Sequence, residues 1–463
     1  MDSAEVQLNR FGIERQGKRL WCHWPWSTFV LTCDGVVVCG CGDAFNENPV
    51  GDTRSQGAID IWRGEGFQRM RRGMRENSPP AFCYKCGLME VREAQEGVPD
   101  LAEVPDTPPR VLYVEPTIVC NLRCPQPACV PEEVYGTRSM KLLSYDLYAG
   151  VIDELGPQLE RMVFYNYGES FIHPDAFRMI RYAKDVNPSL WVWTSTNGHF
   201  FDTAEKVRAL VDSGINEIQF SIDGATQAVY ETYRKEGKIE KVFDGLRAVA
   251  EERDRRGSVF PWISWNYILF RWNDSDEEME RARQLAIELG VDRLTWTTTD
   301  QPLGMPSERF VPGTADYERI RPGLVGGGAQ VPNAIRWGGR IEPVALPERV
   351  RTGGDIVARF QVTNESELTW QPGTAHDVRR MSLRAKLHDH AGALLVENFM
   401  YVGFAEPLQP GASTVVELSG TAELEAGRYR LTVDLVREGL WWFEFLGIEP
   451  FGCEFEVVGP ADA

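Results

Sequence analysis

VEPTIVCNLRCPQPACV, residues 114–130, gathers Cys120, Cys124 and Cys129 on one loop, directly after the strand-like run VLYVEPT at 111–117. A structural zinc or iron–sulfur site is normally closed by four protein ligands, so three thiols leave one position open to an exogenous molecule. Outward from this loop come further strand-like runs: MVFYN near 162–166, LWVWTST near 190–196, EIQFSID near 217–223, WISWNYIL near 262–269 and RLTWTT near 293–298. Amphipathic stretches separate them, such as FDTAEKVRALVDSG (201–214) and SDEEMERARQLAIELG (275–290), each ending on glycine as a helix C-cap does. This alternation predicts an α/β domain of six βα units over residues 110–300. Its parallel sheet is either doubly wound or curved into a partial (β/α)6 barrel, with the functional loops after the strands.

Upstream, residues 1–92 carry six of the ten cysteines, a strand-like segment from Thr28 to Val38, and IDIWRGEGFQRMRRGM, read as one amphipathic helix from Ile59 to Met74. The Pro- and acid-rich stretch 93–109 reads as a linker. Downstream, residues 301–337 form a Gly/Pro-rich connector that includes Gly326, Gly327 and Gly328. Period-two alternation then appears at Ile356, Ala358, Phe360 and Val362, at Leu383, Ala385 and Leu387, and at Tyr429, Leu431, Val433 and Leu435. It predicts an all-β, Ig-like sandwich over 338–463. Several domains are expected in any case, since 463 residues exceed what one core holds, roughly 250–300.

The balance of 49 basic against 68 acidic side chains, net −19, repels a phosphate backbone and argues against nucleic acid as the main partner. No apolar run long enough to span a bilayer is present, and MDSAEVQLNRFGIERQGKRL lacks the features of a secretory signal, so a cytoplasmic protein is expected. In that reducing compartment ten cysteines are expected as metal ligands or catalytic groups rather than disulfides.

Three further elements fall on strand ends in order: Tyr167-Gly168-Glu169, Thr196-Asn197-Gly198 and Ser221-Ile222-Asp223-Gly224, with Arg234 following. Together with the cysteine loop they make residues 110–300 resemble the radical S-adenosylmethionine (SAM) superfamily. The resemblance implies a [4Fe–4S] cluster on Cys120, Cys124 and Cys129, whose open iron chelates SAM. It also implies electron-driven cleavage of SAM to a 5′-deoxyadenosyl radical, with the electron drawn from a partner such as flavodoxin or ferredoxin. Gly168 and Glu169 stand where the family's Gly-Gly-Glu element receives the SAM ammonium, Asn197 and Ser221 where ribose and carboxylate are held, and Arg234 where a SAM-carboxylate arginine is usual. The bland readings are a helix-end acid for Glu169, a turn residue for Ser221 and a solvated charge for Arg234. The spacing here is C-x3-C-x4-C, two residues longer than the family's usual form, and Ala128 replaces the aromatic before the last cysteine.

RLWCHWPWSTFVLTCDGVVVCGC (19–41), followed by CYKC (83–86), resembles the auxiliary-cluster modules called SPASM or twitch domains, which usually follow the radical SAM domain rather than precede it. The resemblance implies a second [4Fe–4S] cluster on Cys22, one of Cys39 or Cys41, Cys83 and Cys86, with Asp34-Gly35 turning a hairpin. A four-thiolate zinc site is the alternative. Cys33, Cys453 and the unused member of the 39/41 pair are left over. Ordinary burial explains them; the sharper reading of Cys33 and Cys453 is as hydrogen-atom donors, as in radical SAM epimerases.

NESELTWQPG, LQPGAST and YRLTVDLVREGLWWFEFLG resemble β-sandwiches appended to bacterial proteins of cell-surface polysaccharide and oligosaccharide biosynthesis, and Trp370, Trp441 and Trp442 are either core or sugar-stacking. The sequence thus points to a radical SAM enzyme acting on a small-molecule or oligosaccharide substrate, with sugar epimerases of orthosomycin-type antibiotic biosynthesis the nearest analogue. A sugar dehydratase or dehydrogenase, a peptide-modifying radical SAM enzyme and a zinc-stabilised glycan-binding protein are the competing readings.

Overall fold

The computed structural model describes residues 18–40, 43, 45–93, 101–125, 136–374 and 377–459. It divides into two compact units: the residues up to Glu252 with Phe260–Ile263 and Asp300–Met305, and Arg253–Val259, Ser264–Thr299 and Pro306 onward.

In the first unit β1 (Lys18–Trp21) pairs antiparallel with β5 (Glu90–Glu93) and ties the two ends of the N-terminal module together. Between them β2 (Thr28–Leu31) and β3 (Val36–Val38) form the expected hairpin, with Gly35 at φ +84° in its turn, and β4 (Pro49–Asp52) adds an edge. The parallel strands β6 (Val111–Val114), β7 (Arg161–Val163), β8 (Trp191–Thr196) and β9 (Glu217–Ser221) then continue outward in the order β9-β8-β7-β6-β2-β3-β4. The link is β2, which runs parallel to β6 from Thr28↔Val111 to Leu31↔Val114. The N-terminal module is therefore built into the edge of the parallel sheet and does not stand apart as a bead on a linker.

Two local expectations differ from the structure. The helix expected over Ile59–Met74 is two helices, Ala58–Arg63 and Glu65–Arg75, broken at an extended Gly64. The cause lies in close packing: a Cβ on Gly66 would sit 2.1 Å from the Val50 carbonyl oxygen, so the second helix starts jammed against β4 and must change direction. The described part of the expected linker, from Leu101, lies down on the module. Trp26 Nε1 donates to Ala102 O at 2.7 Å, Trp62 Nε1 donates to Thr107 O at 3.0 Å, and Arg72 pairs with Glu103 at 2.7 Å.

The helices Tyr145–Leu155, Ala176–Val186 and Ala204–Asp212 connect the strands. The last is N-capped by Thr203, whose hydroxyl accepts from Lys206 N, and is followed by Gly214 at φ +77°.

The second unit holds the remaining two expected strands, β10 (Trp262–Ile268, from Ser264 on) and β11 (Arg293–Thr297), paired in parallel across helix Asp276–Glu288. The connector after β11 is pinned to it, with Ala334 N donating to Leu294 O at 2.7 Å and Val325 N to Trp296 O at 2.9 Å. The rest of the unit is all-β. One sheet runs β12 (Gly339–Ala345), β14 (Asp355–Asn364), β17 (Ser413–Thr421). The other runs β13 (Arg349–Arg351), β20 (Phe451–Val458), β18 (Gly427–Arg437), β15 (Met381–Asp389), β16 (Leu394–Gly403), with β19 (Trp441–Trp442) on β18. Inward residues of both sheets, among them Phe360, Val362, Leu383, Leu387, Leu431 and Val433, share one core, as the period-two alternation requires. Trp370 and Trp441 belong to that core, and Trp370 Nε1 donates to Ser366 Oγ at 2.9 Å. Trp442 is half-buried beneath the Lys386 ammonium, 4.3 Å from its ring. Of the two readings open for these tryptophans, core rather than sugar-stacking holds for Trp370 and Trp441. Among the described residues no helix is long and apolar enough to cross a membrane.

Candidate active site

The loops leaving β6, β7, β8 and β9 meet at a cleft of ≈ 170 Å³ bordered by Cys120, Cys124, Glu169, Asn197, Ser221 and Arg234. Parallel strands present their carboxyl ends on one side, so four separately expected elements arrive at one place. Cys129 lies outside the described residues.

The cysteine loop is held at its base. Glu115 follows β6 and Arg138 returns after the loop; their side chains are fully buried and paired, Nε to Oε1 at 2.9 Å. Cys33 N and Asn166 Nδ2 donate to the same carboxylate at 3.1 and 3.3 Å. Gly168 lets the β7 loop cross the cysteine loop. Its φ is +79°, and a Cβ there would lie 2.4 Å from Thr117 O. The crossing is fixed by Glu169 N donating to Val119 O at 2.8 Å.

Glu169 is buried, and its carboxylate is a knot between loops. It accepts from Thr196 Oγ1 at 2.9 Å, from Asn197 N at 2.7 Å and from Phe171 N at 3.4 Å. Burial pushes its carboxyl up to about 7, against those hydrogen bonds. Ser221 Oγ and Ser195 Oγ lie 3.0 Å apart on neighbouring strand ends.

Arg234 is no solvated charge. Its Nε donates to Asp223 Oδ2 at 2.6 Å and its NH1 approaches Cys124 Sγ at 3.9 Å. Burial opposes its charge, yet Asp223 and Cys124 hold its pKa above the ordinary range. Asn197 Nδ2 and Leu122 N likewise face Cys120 Sγ, at 3.8 and 3.5 Å. Donors aimed at sulfur suit thiolates that ligate iron, which must be deprotonated. The cleft thus fits the implied cluster.

Asn121, Asn166, Glu115 and Arg138 were not singled out in the sequence. Two carried a signal: Glu115 is an acid inside an apolar strand run, and Asn121 adjoins the first loop cysteine.

The N-terminal thiols form a second, closed site. Cys22, Cys39 and Cys83 are buried and Cys86 is half-buried. Burial pushes Cys22 and Cys83 up to about 12, and neighbouring thiols add to both. Cys39 is raised by burial and then by Cys22, Cys83 and Cys86, so it lies near those three; Cys41 lies outside the described residues. Arg71, also buried, lowers Cys39. It donates to Pro25 O and Glu103 O at 2.8 and 3.1 Å and lies over the Trp62 ring at 4.4 Å, while its NH2 nitrogen has no hydrogen-bond partner among the described residues. A buried guanidinium with such a donor near Cys39 fits an anionic thiolate-held cluster. Among the described residues no three His, Cys, Asp or Glu side chains are grouped so as to hold a single ion.

Neither donor candidate borders the cleft. Cys33 is buried in the β2–β3 turn, with Sγ 3.2 Å from Met140 O. Cys453 is half-buried on β20, opposite Leu431.

Two protein-family models match the chain. The Radical SAM superfamily model covers residues 114–286, and the SPASM model, an iron–sulfur cluster-binding domain, covers residues 22–87. GTP 3′,8-cyclase of Limosilactobacillus fermentum is 27% identical over 162 residues, 35% of this chain and 46% of the relative. AdoMet-dependent heme synthase of Methanosarcina barkeri is 29% identical over 214 residues, 46% of this chain and 56% of the relative. The chain thus spans about half the length of these curated relatives. A solved structure described as native anSMEcpe with bound AdoMet and Kp18Cys peptide aligns with a TM-score of 0.32 at 15% identity, over 41% of this chain and 51% of that one.

Proposed function

With a radical SAM domain at 114–286 and an iron–sulfur cluster-binding SPASM domain ahead of it at 22–87, we propose that this enzyme abstracts hydrogen from a carbon of a carbohydrate or oligosaccharide and epimerises it. When bound, the [4Fe–4S] cluster supplies the electron that cleaves SAM to methionine and the 5′-deoxyadenosyl radical. The observation that supports the substrate class is the cleft lining. Besides Glu169, Arg234 and the groups that the resemblance gives to the cluster and SAM (Cys120, Cys124, Asn197, Ser221), it offers two rings, an amide and a hydroxyl at Tyr165, Tyr167, Asn166 and Ser195. Such groups suit a hydroxyl-bearing ring.

Inversion requires a hydrogen atom for the face opposite the one attacked. Neither Cys33 nor Cys453 borders the cleft, so neither is assigned that role. A reductant such as flavodoxin or ferredoxin supplies the electron for SAM cleavage.

The test is anaerobic reconstitution, iron counting and assay for 5′-deoxyadenosine with dithionite and SAM, beside a Cys120→Ala, Cys124→Ala, Cys129→Ala variant. About eight irons, as two four-iron clusters require, and deoxyadenosine from the wild type alone are expected. In D2O the sugar product should carry deuterium at the inverted carbon. A reconstituted wild type that makes none would sink the radical reading; unlabelled product would sink epimerisation.

A further inference from the structure

His199 follows Gly198 in the loop leaving β8; it is buried and does not border the cleft. Its ring stands between two loops that do. Nε2 lies 2.9 Å from Lys238 N, a backbone group that can only donate. Nε2 is therefore the acceptor, and the neutral ring carries its proton on Nδ1. Burial favours the neutral form. Nδ1 in turn lies 3.0 Å from Asn197 Oδ1 and 3.1 Å from Asn197 O, both acceptors. The backbone N–H of His199 donates to the same Oδ1 at 3.1 Å. Two donors converge on that amide atom, so it is the oxygen, and the orientation of the Asn197 side chain is fixed. The amide nitrogen then faces the cysteine loop, donating to Asn121 Oδ1 at 2.8 Å and standing 3.8 Å from Cys120 Sγ.

The other end of the ring acts on the turn that carries Arg234. Lys238 closes that turn just before helix Ile239–Arg255, and Lys235 O, inside it, accepts from Arg123 N of the cysteine loop at 3.3 Å. One imidazole thus holds an amide toward Cys120 and a guanidinium turn toward Cys124.

We propose that His199, as its Nδ1–H tautomer, is the positioning residue of the cysteine loop: it turns the Asn197 amide N–H toward the Cys120 sulfur and clamps the Arg234 turn against the same loop. Hydrogen bonds to cluster sulfurs raise the reduction potential. Without the Nδ1–H donor the amide oxygen keeps only the His199 backbone N–H, and the amide N–H is held less firmly toward the thiolate. The part concerning the cluster rests on the radical SAM reading; the part concerning the tautomer does not.

Three variants separate the two ends of the ring. His199→Asn places an amide N–H where Nδ1 was and keeps the lock on Asn197. His199→Gln reaches the Lys238 end only, and His199→Phe serves neither. In the full-length chain labelled with 15N-histidine, before any cluster is installed, the His199 signal should be that of a neutral ring protonated on Nδ1 across about pH 6 to 8. Its assignment follows from its loss in the Asn variant. After reconstitution, a reductive titration followed by electron paramagnetic resonance should give the Asn variant the wild-type potential at the cysteine-loop cluster and the Gln and Phe variants a more negative one. SAM cleavage in those two should slow on the order of tenfold, as for other residues behind a metal's ligands. An Nε2–H tautomer, a cationic ring, or one potential shared by all four proteins overturns the proposal. If the wild-type loop takes up no iron, the radical reading fails, and the nitrogen spectrum alone then decides the tautomer.

Discussion

The two thiol sites differ most in how their charges are balanced. At the cleft, Cys120 and Cys124 are half-buried, their neighbours are a neutral amide and a guanidinium, and that guanidinium already has a carboxylate on it, Asp223 at 2.6 Å. At the N-terminal site the thiols raise one another, and the cation near Cys39, Arg71, donates among the described residues to backbone carbonyls and keeps a nitrogen without a hydrogen-bond partner there. Among the described residues the cation of the first site is already paired with a carboxylate, whereas that of the second is felt by Cys39 and Glu103 without a side-chain hydrogen bond. We infer that the closed site depends more than the open one on the charge of a bound cluster.

The largest effect should come from unclamping the open site. Arg138→Met leaves Glu115 buried beside Cys33 and Asn166 without its counter-charge, a loss of about 3–5 kcal/mol of stability. Glu115→Leu with Arg138→Met should recover most of it in urea denaturation of the cluster-free chain, because an apolar pair of similar volume leaves no charge behind. Reconstituted Arg138→Met should hold about four irons rather than about eight, those of the N-terminal site. Loss of both sets of iron at once would mean that the sites are less independent than their charge balance suggests.

The second test concerns Glu169. Its carboxyl moves from 4.5 in an unperturbed chain to about 7 through burial. The folded chain therefore binds this proton more tightly than the unfolded chain does, and its stabilising contribution is complete below pH 4.5. It is lost as pH rises to about 7, a fall of about 3 kcal/mol. Unfolding free energies of the cluster-free chain across that window should show the decline, and Glu169→Gln should flatten it. An identical slope in wild type and variant would place the proton elsewhere.

What the sequence disclosed, and what it hid, divides along the same physical line. Cys120, Glu169 and Asn197 were legible because they follow β6, β7 and β8 in order and Ser221 ends β9, and parallel strands deliver their ends to one side; Arg234 comes a helix later. The alternation at Ile356, Phe360, Leu383 and Leu431 was legible because period two is a local property. The pairing of β2 with β6 was not, since it joins residues some eighty positions apart and no local pattern encodes a partner. The break at Gly64 depended on where Val50 lies, and the anchoring of the stretch after Leu101 depended on two indoles far upstream. His199 and Arg71 were hidden for a further reason: each works through a proton or a charge whose partners appear only after folding.

Arg71 supplies the smallest of these effects and the most direct test of the closed site. Replacing it by Met keeps much of the apolar contact with Trp62 and Phe67 but strands the carbonyls of Pro25 and Glu103, at a cost on the order of 2 kcal/mol. If the guanidinium were only a brace for those carbonyls, the variant would lose stability and nothing else. If it balances a permanently bound anion, the N-terminal cluster should also become harder to reduce, because removing a buried positive charge beside it favours the less negative, oxidised form. The cysteine-loop cluster serves as the internal control, its potential unchanged in the same titration. A negative shift confined to the N-terminal signal upholds the contrast between a balanced open site and a charge-dependent closed one. Equal potentials in wild type and Arg71→Met would reduce Arg71 to packing.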